Sequence, residues 1–86
     1  MSQASIAVTV KLFAAYQDAC GVPEIQLELP EGTTVAAVRD RILVTHPELE
    51  QWRQVTRFGI NLQFVDPDTI LRAGDEVVLI PPVSGG

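Results

Sequence analysis

The order of the apolar patterns along the chain restricts its fold more than any other feature. Four apolar residues near the start form a period of two: Ile6, Val8, Val10 and Leu12. That period indicates a strand with one core-facing side, so we predict a strand over residues 6–13. A polar loop containing Gly21 and Pro23 leads to a second alternating run at residues 25–29, which predicts a hairpin with a wide loop.

One helical pattern follows the two strands. Thr33 or Thr34 can cap its first turn, because a threonine hydroxyl accepts a hydrogen bond from an unpaired helical amide. Helical spacing gives an apolar side of Val35, Val38, Ile42 and either Leu43 or Val44, and a side expected to face water of Arg39, Asp40 and Arg41. Pro47 disfavours helical geometry at His46, so we predict that the helix ends there.

The rest of the chain alternates short apolar segments with turns. Residues 48–54 predict a polar turn or a one-turn helix from which Leu49 and Trp52 can fold back on the core. Two short strand-like segments follow at residues 58–61 and 62–65, and turn chemistry follows at residues 66–68 and 73–75. Residues 76–80 predict the last strand, and the apolar run at residues 77–80 predicts that it is central and covered on both faces.

This order of elements predicts an α+β fold of the β-grasp, ubiquitin-like type. In such a fold a mixed sheet of four to five strands packs on one main helix, and the first and last strands can lie side by side and parallel. We expect a single domain over residues 1–80 and an extended, flexible C-terminal tail over residues 81–86.

Composition narrows the classes of function. The chain has 86 residues, 47% of them hydrophobic, which suits one compact domain. The single Cys20 cannot form an internal disulfide, so a reducing cytoplasmic setting is expected. A formal charge of −5 would repel nucleic acid and anionic membranes, and no long apolar segment predicts export or a membrane span. A protein partner with a basic face fits the charge, although a modest negative charge also simply favours solubility.

Side chains with catalytic potential occur in this sequence, but each has a plainer interpretation. His46 ends a helix, Cys20 has no histidine nearby in sequence, and Glu24 and Glu28 fit a solvated strand face better than an acid–base pair. Asp66 and Asp68 are better interpreted as turn formers than as calcium ligands. Trp52 and Phe64 could anchor a partner, but we predict that they lie in the core or partly cover it. The chain is expected to bind no cofactor or metal and to have no active site of its own.

The C-terminal tail has a composition that suits chemistry at its carboxyl end. Pro81 and Pro82 stop the last strand and favour a stiff extended chain, which Val83 and Ser84 continue. Gly85 and Gly86 carry no side chains, so the end can enter a narrow channel and adopt the dihedrals that a partner's site requires.

A carboxylate is a poor electrophile, so chemistry at Gly86 needs activation, most simply as an adenylate that another protein makes from ATP. The activated acyl group could then accept sulfur and become a thiocarboxylate, or react with an amine to form an isopeptide. A frayed end or a cloning scar is the plainer interpretation of two terminal glycines.

The last thirteen residues, Gly74 to Gly86, closely resemble the end of the molybdopterin synthase small subunit, the MoaD family. Weaker matches extend back through Ile60-Asn61, the turn from Asp66 to Leu71, the segment 30–35 and the opening run 10–14. The resemblance implies that a dedicated activating enzyme adenylates Gly86 and that the carboxylate becomes a thiocarboxylate. The tail would then insert into the large synthase subunit, with two large and two small subunits in the complex, and deliver sulfur to cyclic pyranopterin monophosphate in molybdenum cofactor biosynthesis.

Partner contacts are expected along the end of the last strand and the tail, at Leu79, Ile80, Pro81, Pro82, Val83 and Ser84. The family often carries basic residues after Phe13-Ala14, whereas this chain has Ala15-Tyr16-Gln17-Asp18, so a charge contact made there by a relative is not expected here. Two other interpretations stay open: a sulfur carrier of the thiamine or another pathway, and a ubiquitin-like module that binds through its sheet without covalent chemistry.

Overall fold

The computed structural model describes residues 4–81. Its strands are β1 (Ser5–Leu12), β2 (Glu24–Pro30), β3 (Arg57–Ile60), β4 (Gln63–Val65) and β5 (Glu76–Ile80). Its helices are α1 (Ala15–Cys20) and α2 (Val35–Thr45), and a 3₁₀ helix spans Pro47–Trp52. The predicted tail, apart from Pro81, lies outside the described residues.

All five strands form one mixed sheet in the order β2-β1-β5-β3-β4. Strands β1 and β5 run parallel, with Val10 opposite Val77, and the other pairs of neighbouring strands are antiparallel. The predicted β-grasp fold is confirmed, including the parallel pairing of the first and last strands.

The core lies between one face of this sheet and α2. Alternate strand residues point into it, which is the reason for the period of two in the sequence. Its members are almost completely buried and include Val8, Val10, Leu12, Val35, Val38, Phe58, Val77 and Leu79. The 3₁₀ helix closes one end of the core with Leu49, which is buried, and Trp52, which packs against it.

Helix α2 begins and ends close to the predicted residues. Thr34 is the N-cap and accepts a hydrogen bond from the amide of Ala37 at 3.3 Å, and the helix ends before His46. Leu43 is buried, whereas Val44 is 80% exposed, which resolves the alternative left open by the spacing. The prediction that Arg39 faces water was wrong: its side chain lies over the Phe58 ring, 5.4 Å from the centroid, and donates to the Arg53 carbonyl at 3.0 Å.

Three further differences concern the loop after β1, the end of β1 and the second face of β5. The predicted wide loop after β1 contains the short helix α1, which Tyr16 fastens to the core with a completely buried ring. Strand β1 ends at Leu12, so Phe13 leaves the sheet and is 48% exposed. Strand β5 is central, as predicted, but Val78 and Ile80 on its second face stay partly exposed, since no other described element covers them.

Candidate functional site

The outer face of the sheet, opposite α2, carries an apolar groove. Strand register places Val78 of β5 beside Gly59 of β3, and Gly59 beside Phe64 of β4. Gly59 has no side chain, so it forms the groove's floor, and a Cβ there would lie 3.4 Å from the Gln63 carbonyl oxygen. The cavity volume is about 480 Å³, and its lining is Phe13, Ala14, Gly59, Leu62, Gln63, Phe64, Val78, Ile80 and Pro81. We call this surface the outer groove.

Large apolar side chains stand unusually exposed around the outer groove. Leu62 is 91% exposed, Phe64 is 74% exposed, and Phe13 is 48% exposed. Isolated exposed apolar residues are common, but several that share one concave surface mark a binding site. Such a surface excludes water and can hold an apolar partner, but its lining contributes no acid, base or nucleophile.

Phe13 and Ala14 form one wall of the outer groove. A buried hydrogen-bond chain fixes the helix α1 that follows them. The Thr56 hydroxyl donates to the Trp52 carbonyl at 2.7 Å, and the Tyr16 hydroxyl lies 2.7 Å from the same Thr56 oxygen. These bonds hold α1 against the core, and the amide of Tyr16 donates to the Phe13 carbonyl at 3.1 Å. Ala14, between them, has a positive φ of 50°, an uncommon conformation for a residue with a Cβ. Phe13 is therefore presented by a segment with little freedom.

The opposite wall is the tight turn between β3 and β4. Asn61 and Leu62 are its two central residues, with φ of 50° and 71°, and Ile60 pairs with Gln63 across it. The Asn61 side chain receives a hydrogen bond from the Glu76 amide at 3.0 Å and donates one to Asp75 at 3.1 Å. The turn is thus fastened to the start of β5.

The structure places the predicted partner-binding residues in three different environments. Leu79 has a completely buried side chain in the core, so no surface of the described fold offers that side chain to a partner. Ile80 is partly exposed and lines the outer groove, and Pro81 is buried at its end. Pro82, Val83, Ser84, Gly85 and Gly86 lie outside the described residues, so their predicted roles stay predictions.

Sequence reasoning did not identify Phe13, Leu62 and Val78 as parts of a site, and it was wrong to place Phe64 in or over the core. Strand register places Val78 and Phe64 beside Gly59 on the sheet face away from the core, and the sequence pattern does not give that pairing between strands. What a pattern alone cannot show is whether a second layer covers that face.

The other candidate side chains offer little chemistry. Burial raises the pKa of the Cys20 thiol, and the nearby carboxylate of Glu48 raises it further, so the reactive thiolate is disfavoured at neutral pH. Glu24 forms an exposed ion pair with Lys11 at 2.5 Å. Over residues 4–81 no three His, Cys, Asp or Glu side chains come together as metal ligands, and none of the helices there is long and apolar enough to cross a membrane.

Comparison with known proteins now decides the family, because the ThiS family profile matches residues 10–86. The chain belongs to the ThiS family. This ThiS-family chain is 33% identical over 82 residues to the molybdopterin synthase sulfur carrier subunit of Arabidopsis thaliana, covering 95% of this chain and 85% of that protein. It is 37% identical over 83 residues to the protein of the same name from Mycobacterium tuberculosis, with 94% and 99% covered. The resemblance to the MoaD family is confirmed.

A further relative has a different description, and two solved structures are described as molybdopterin-converting factors. Small archaeal modifier protein 1 of Haloferax volcanii is 32% identical over 88 residues, covering 88% of this ThiS-family chain and 97% of that protein. A solved structure described as molybdopterin converting factor subunit 1 from Pyrococcus furiosus superposes with a TM-score of 0.77 at 30% identity, covering 91% and 99%. A complex of subunits 1 and 2 of the molybdopterin-converting factor from Helicobacter pylori matches with a TM-score of 0.63 at 26% identity, covering 94% and 100%.

Proposed function

We propose that this ThiS-family chain is the sulfur carrier subunit of a molybdopterin synthase and that the carboxyl end of Gly86 carries the sulfur. The observation that supports this most is the position of the outer groove, which runs to Pro81, five residues before Gly86. A partner held on the groove would receive the tail directly.

The proposed chemistry begins with an activating enzyme that adenylates Gly86. The terminal carboxylate attacks ATP, pyrophosphate leaves, and an acyl-adenylate forms. A hydrosulfide ion supplied by a sulfur donor then attacks the acyl carbon, the bond to AMP breaks, AMP leaves, and Gly86 ends in a thiocarboxylate. The small side chains of Val83 and Ser84 and the two glycines at the end leave room for both steps in a narrow site.

Sulfur delivery takes place in the large synthase subunit, in this proposal. The thiocarboxylate sulfur attacks cyclic pyranopterin monophosphate, water then cleaves the carbon–sulfur bond of the acyl intermediate, and the carrier leaves with a free carboxylate while the sulfur stays on the pterin. The outer groove supplies apolar contact area, and the formal charge of −5 favours a partner with a basic rim. We also propose that the complex contains two carrier subunits and two large subunits. Its proposed location is the cytoplasm.

Reconstitution with the large subunit, the activating enzyme, ATP, a sulfur donor and the pterin substrate tests the function. We expect molybdopterin to form, and to stop forming when Gly86 is deleted or one residue is added after it. Both variants should unfold at the wild-type temperature, since the tail adds little to the core. Product formation by either variant would contradict the proposal, and reconstitution with a thiamine-pathway acceptor tests that alternative directly.

A second candidate function is attachment of this chain to other proteins. The likeness to small archaeal modifier protein 1 favours it, because the same activated carboxyl end can be attacked by a lysine amine to form an isopeptide. Incubation with the activating enzyme, ATP and a cell extract would then yield covalent adducts that resist denaturing electrophoresis. A non-covalent binding module, in contrast, would keep its partner affinity without Gly85 and Gly86.

A further inference from the structure

We infer that Leu62 is a preformed apolar anchor for the second subunit of the synthase, and that the fold gives up stability to present it. This inference rests on the proposed function, because it takes the protein that receives the tail as the partner. It concerns one turn of the chain, the turn between β3 and β4.

Exposure is the first observation. Leu62 is 91% exposed, more than any other large apolar residue over residues 4–81. Its side chain contributes almost nothing to the core, so a role in folding does not explain a leucine at this position. It does line the outer groove together with Phe64 and Pro81.

Backbone conformation is the second observation. A two-residue turn with positive φ at both central residues favours the sequence Asn-Gly, because asparagine and glycine tolerate this region best. Asn61 fits that preference with φ of 50°, but Leu62 occupies the glycine position with φ of 71°. A leucine there is strained by its Cβ, and such strain persists where the surrounding structure enforces it.

The enforcing structure is visible around Asn61. Its amide donates to the Glu76 carbonyl at 2.9 Å, and its side chain accepts from the Glu76 amide at 3.0 Å. Asp75 accepts from the Asn61 side chain at 3.1 Å and from the Arg72 amide at 2.8 Å. Three hydrogen bonds thus join the turn to Asp75 and to Glu76 at the start of β5, and the bond from the Arg72 amide steadies the Asp75 carboxylate. Leu62 is therefore held in place before any partner arrives. Preorganisation of this kind reduces the entropy lost on binding.

The tail identifies the occupant. Five residues follow Pro81, and a fully extended chain of that length spans about 17 Å. A protein whose active site receives Gly86 must therefore lie close to Pro81. The outer groove runs along β5 from Pro81, after its last residue, to Leu62, in the turn beside its first residue, so it carries the contact surface on to Leu62. The Helicobacter pylori complex shows that a relative of this chain associates with a second subunit. The carboxylate of Asp75 lies beside the turn and accepts a hydrogen bond from Asn61, so the matching surface would be an apolar pocket beside a basic side chain.

Three variants of the full chain test the inference against the large subunit of the same synthase. Leu62→Asn removes the apolar side chain, and asparagine tolerates a positive φ because its polar side chain can hydrogen-bond locally. Leu62→Ala also removes the apolar side chain, but alanine keeps the Cβ that strains this conformation and has no polar group to offset the strain. Val44→Ala is the matched control, because Val44 is 80% exposed on α2, on the opposite side of the sheet. Affinity is measured by calorimetry and stability by thermal unfolding.

We expect both Leu62 variants to bind about tenfold more weakly than the wild type, as for the loss of a well-placed apolar contact. Leu62→Asn should also unfold about 5 °C higher than the wild type, and Leu62→Ala should not. Val44→Ala should leave the affinity unchanged. Opposite effects of one substitution on stability and on binding are the signature of a strained anchor.

Other results separate this inference from the proposed function. Unchanged affinity in both Leu62 variants, with sulfur transfer intact in the wild type, overturns the anchor and leaves the function standing. Weakened binding by the variants with no sulfur transfer by the wild type overturns the function and leaves the anchor standing. A wild-type chain that does not bind the large subunit overturns both the anchor and the proposed function. If Leu62→Asn unfolds at no higher a temperature than Leu62→Ala, the claim that Leu62 is strained is wrong.

Discussion

Replacing Thr56 by valine should destabilise the fold more than removing the tyrosine hydroxyl that it binds. A threonine hydroxyl has one proton, and Thr56 gives it to the Trp52 carbonyl at 2.7 Å. The Tyr16 hydroxyl, 2.7 Å away, must then be the donor of the second bond. Tyr16 is completely buried, so its hydroxyl has no access to water.

The magnitudes follow from what each substitution leaves behind. Tyr16→Phe removes one hydrogen bond and leaves Thr56 bonded to Trp52, a loss of about 1 kcal/mol. Thr56→Val leaves the tyrosine hydroxyl buried without a partner, which raises the loss to about 2–3 kcal/mol. The Trp52 carbonyl keeps the amides of Val55 and Thr56 in either case. The double variant has no unpaired hydroxyl, so it should be no less stable than Thr56→Val.

Thermal and urea unfolding, followed by the fluorescence of the single Trp52, give the four stabilities. For a domain of this size 1 kcal/mol corresponds to about 4–8 °C, so the order of midpoints should be easy to resolve. Two results would refute this assignment of the hydrogen-bond directions. One is an unfolding free energy of Thr56→Val equal to that of Tyr16→Phe, and the other is a double variant whose loss of stability equals the sum of the two single losses.

Three further predictions concern other parts of the fold. Thr34→Ala should lower the unfolding free energy by about 1 kcal/mol, because α2 loses its N-cap; an unchanged urea midpoint would speak against a capping role. Burial raises the pKa of Tyr16, so its contribution to stability is complete below the ordinary tyrosine value near 10 and is lost as the pH rises through the folded-state pKa. The wild type should therefore lose more stability than Tyr16→Phe as the pH rises above about 10, and parallel curves would contradict this. Phe64→Ser should change stability by less than about 0.5 kcal/mol, because the ring is 74% exposed, while weakening binding to the large subunit; equal binding would remove Phe64 from the interface.

The sequence predicts the regular elements well where periodicity is strong. Strands β1 and β2 alternate cleanly, and α2 has apolar residues at helical spacing between a threonine cap and Pro47. Helix α1 was missed because six residues are too few for a period to emerge. Only the burial of Tyr16, a tertiary contact with a residue 40 positions away, explains why that segment is helical.

The sequence predicts chemistry at the carboxyl end of Gly86, which lies outside the described residues, but it does not predict the surface of the outer groove. Residue types alone indicate an unhindered carboxyl end at Gly86. The outer groove depends instead on which face of the sheet stays uncovered, and aromatic residues such as Phe64 fit a core and an interface equally well in a pattern. The turn at Leu62 was obscured because a leucine occupies the position where glycine is the usual signal.

The mass of the chain after incubation with its activating enzyme, ATP and a sulfur donor tests the central claim most directly. We expect one oxygen to be replaced by sulfur, and fragmentation to locate the change at Gly86. The same incubation without ATP should leave the mass unaltered. A parallel incubation with another carrier shows that the activating enzyme is active. If that carrier gains sulfur and the mass of this chain stays unaltered, the sulfur-carrier function is contradicted.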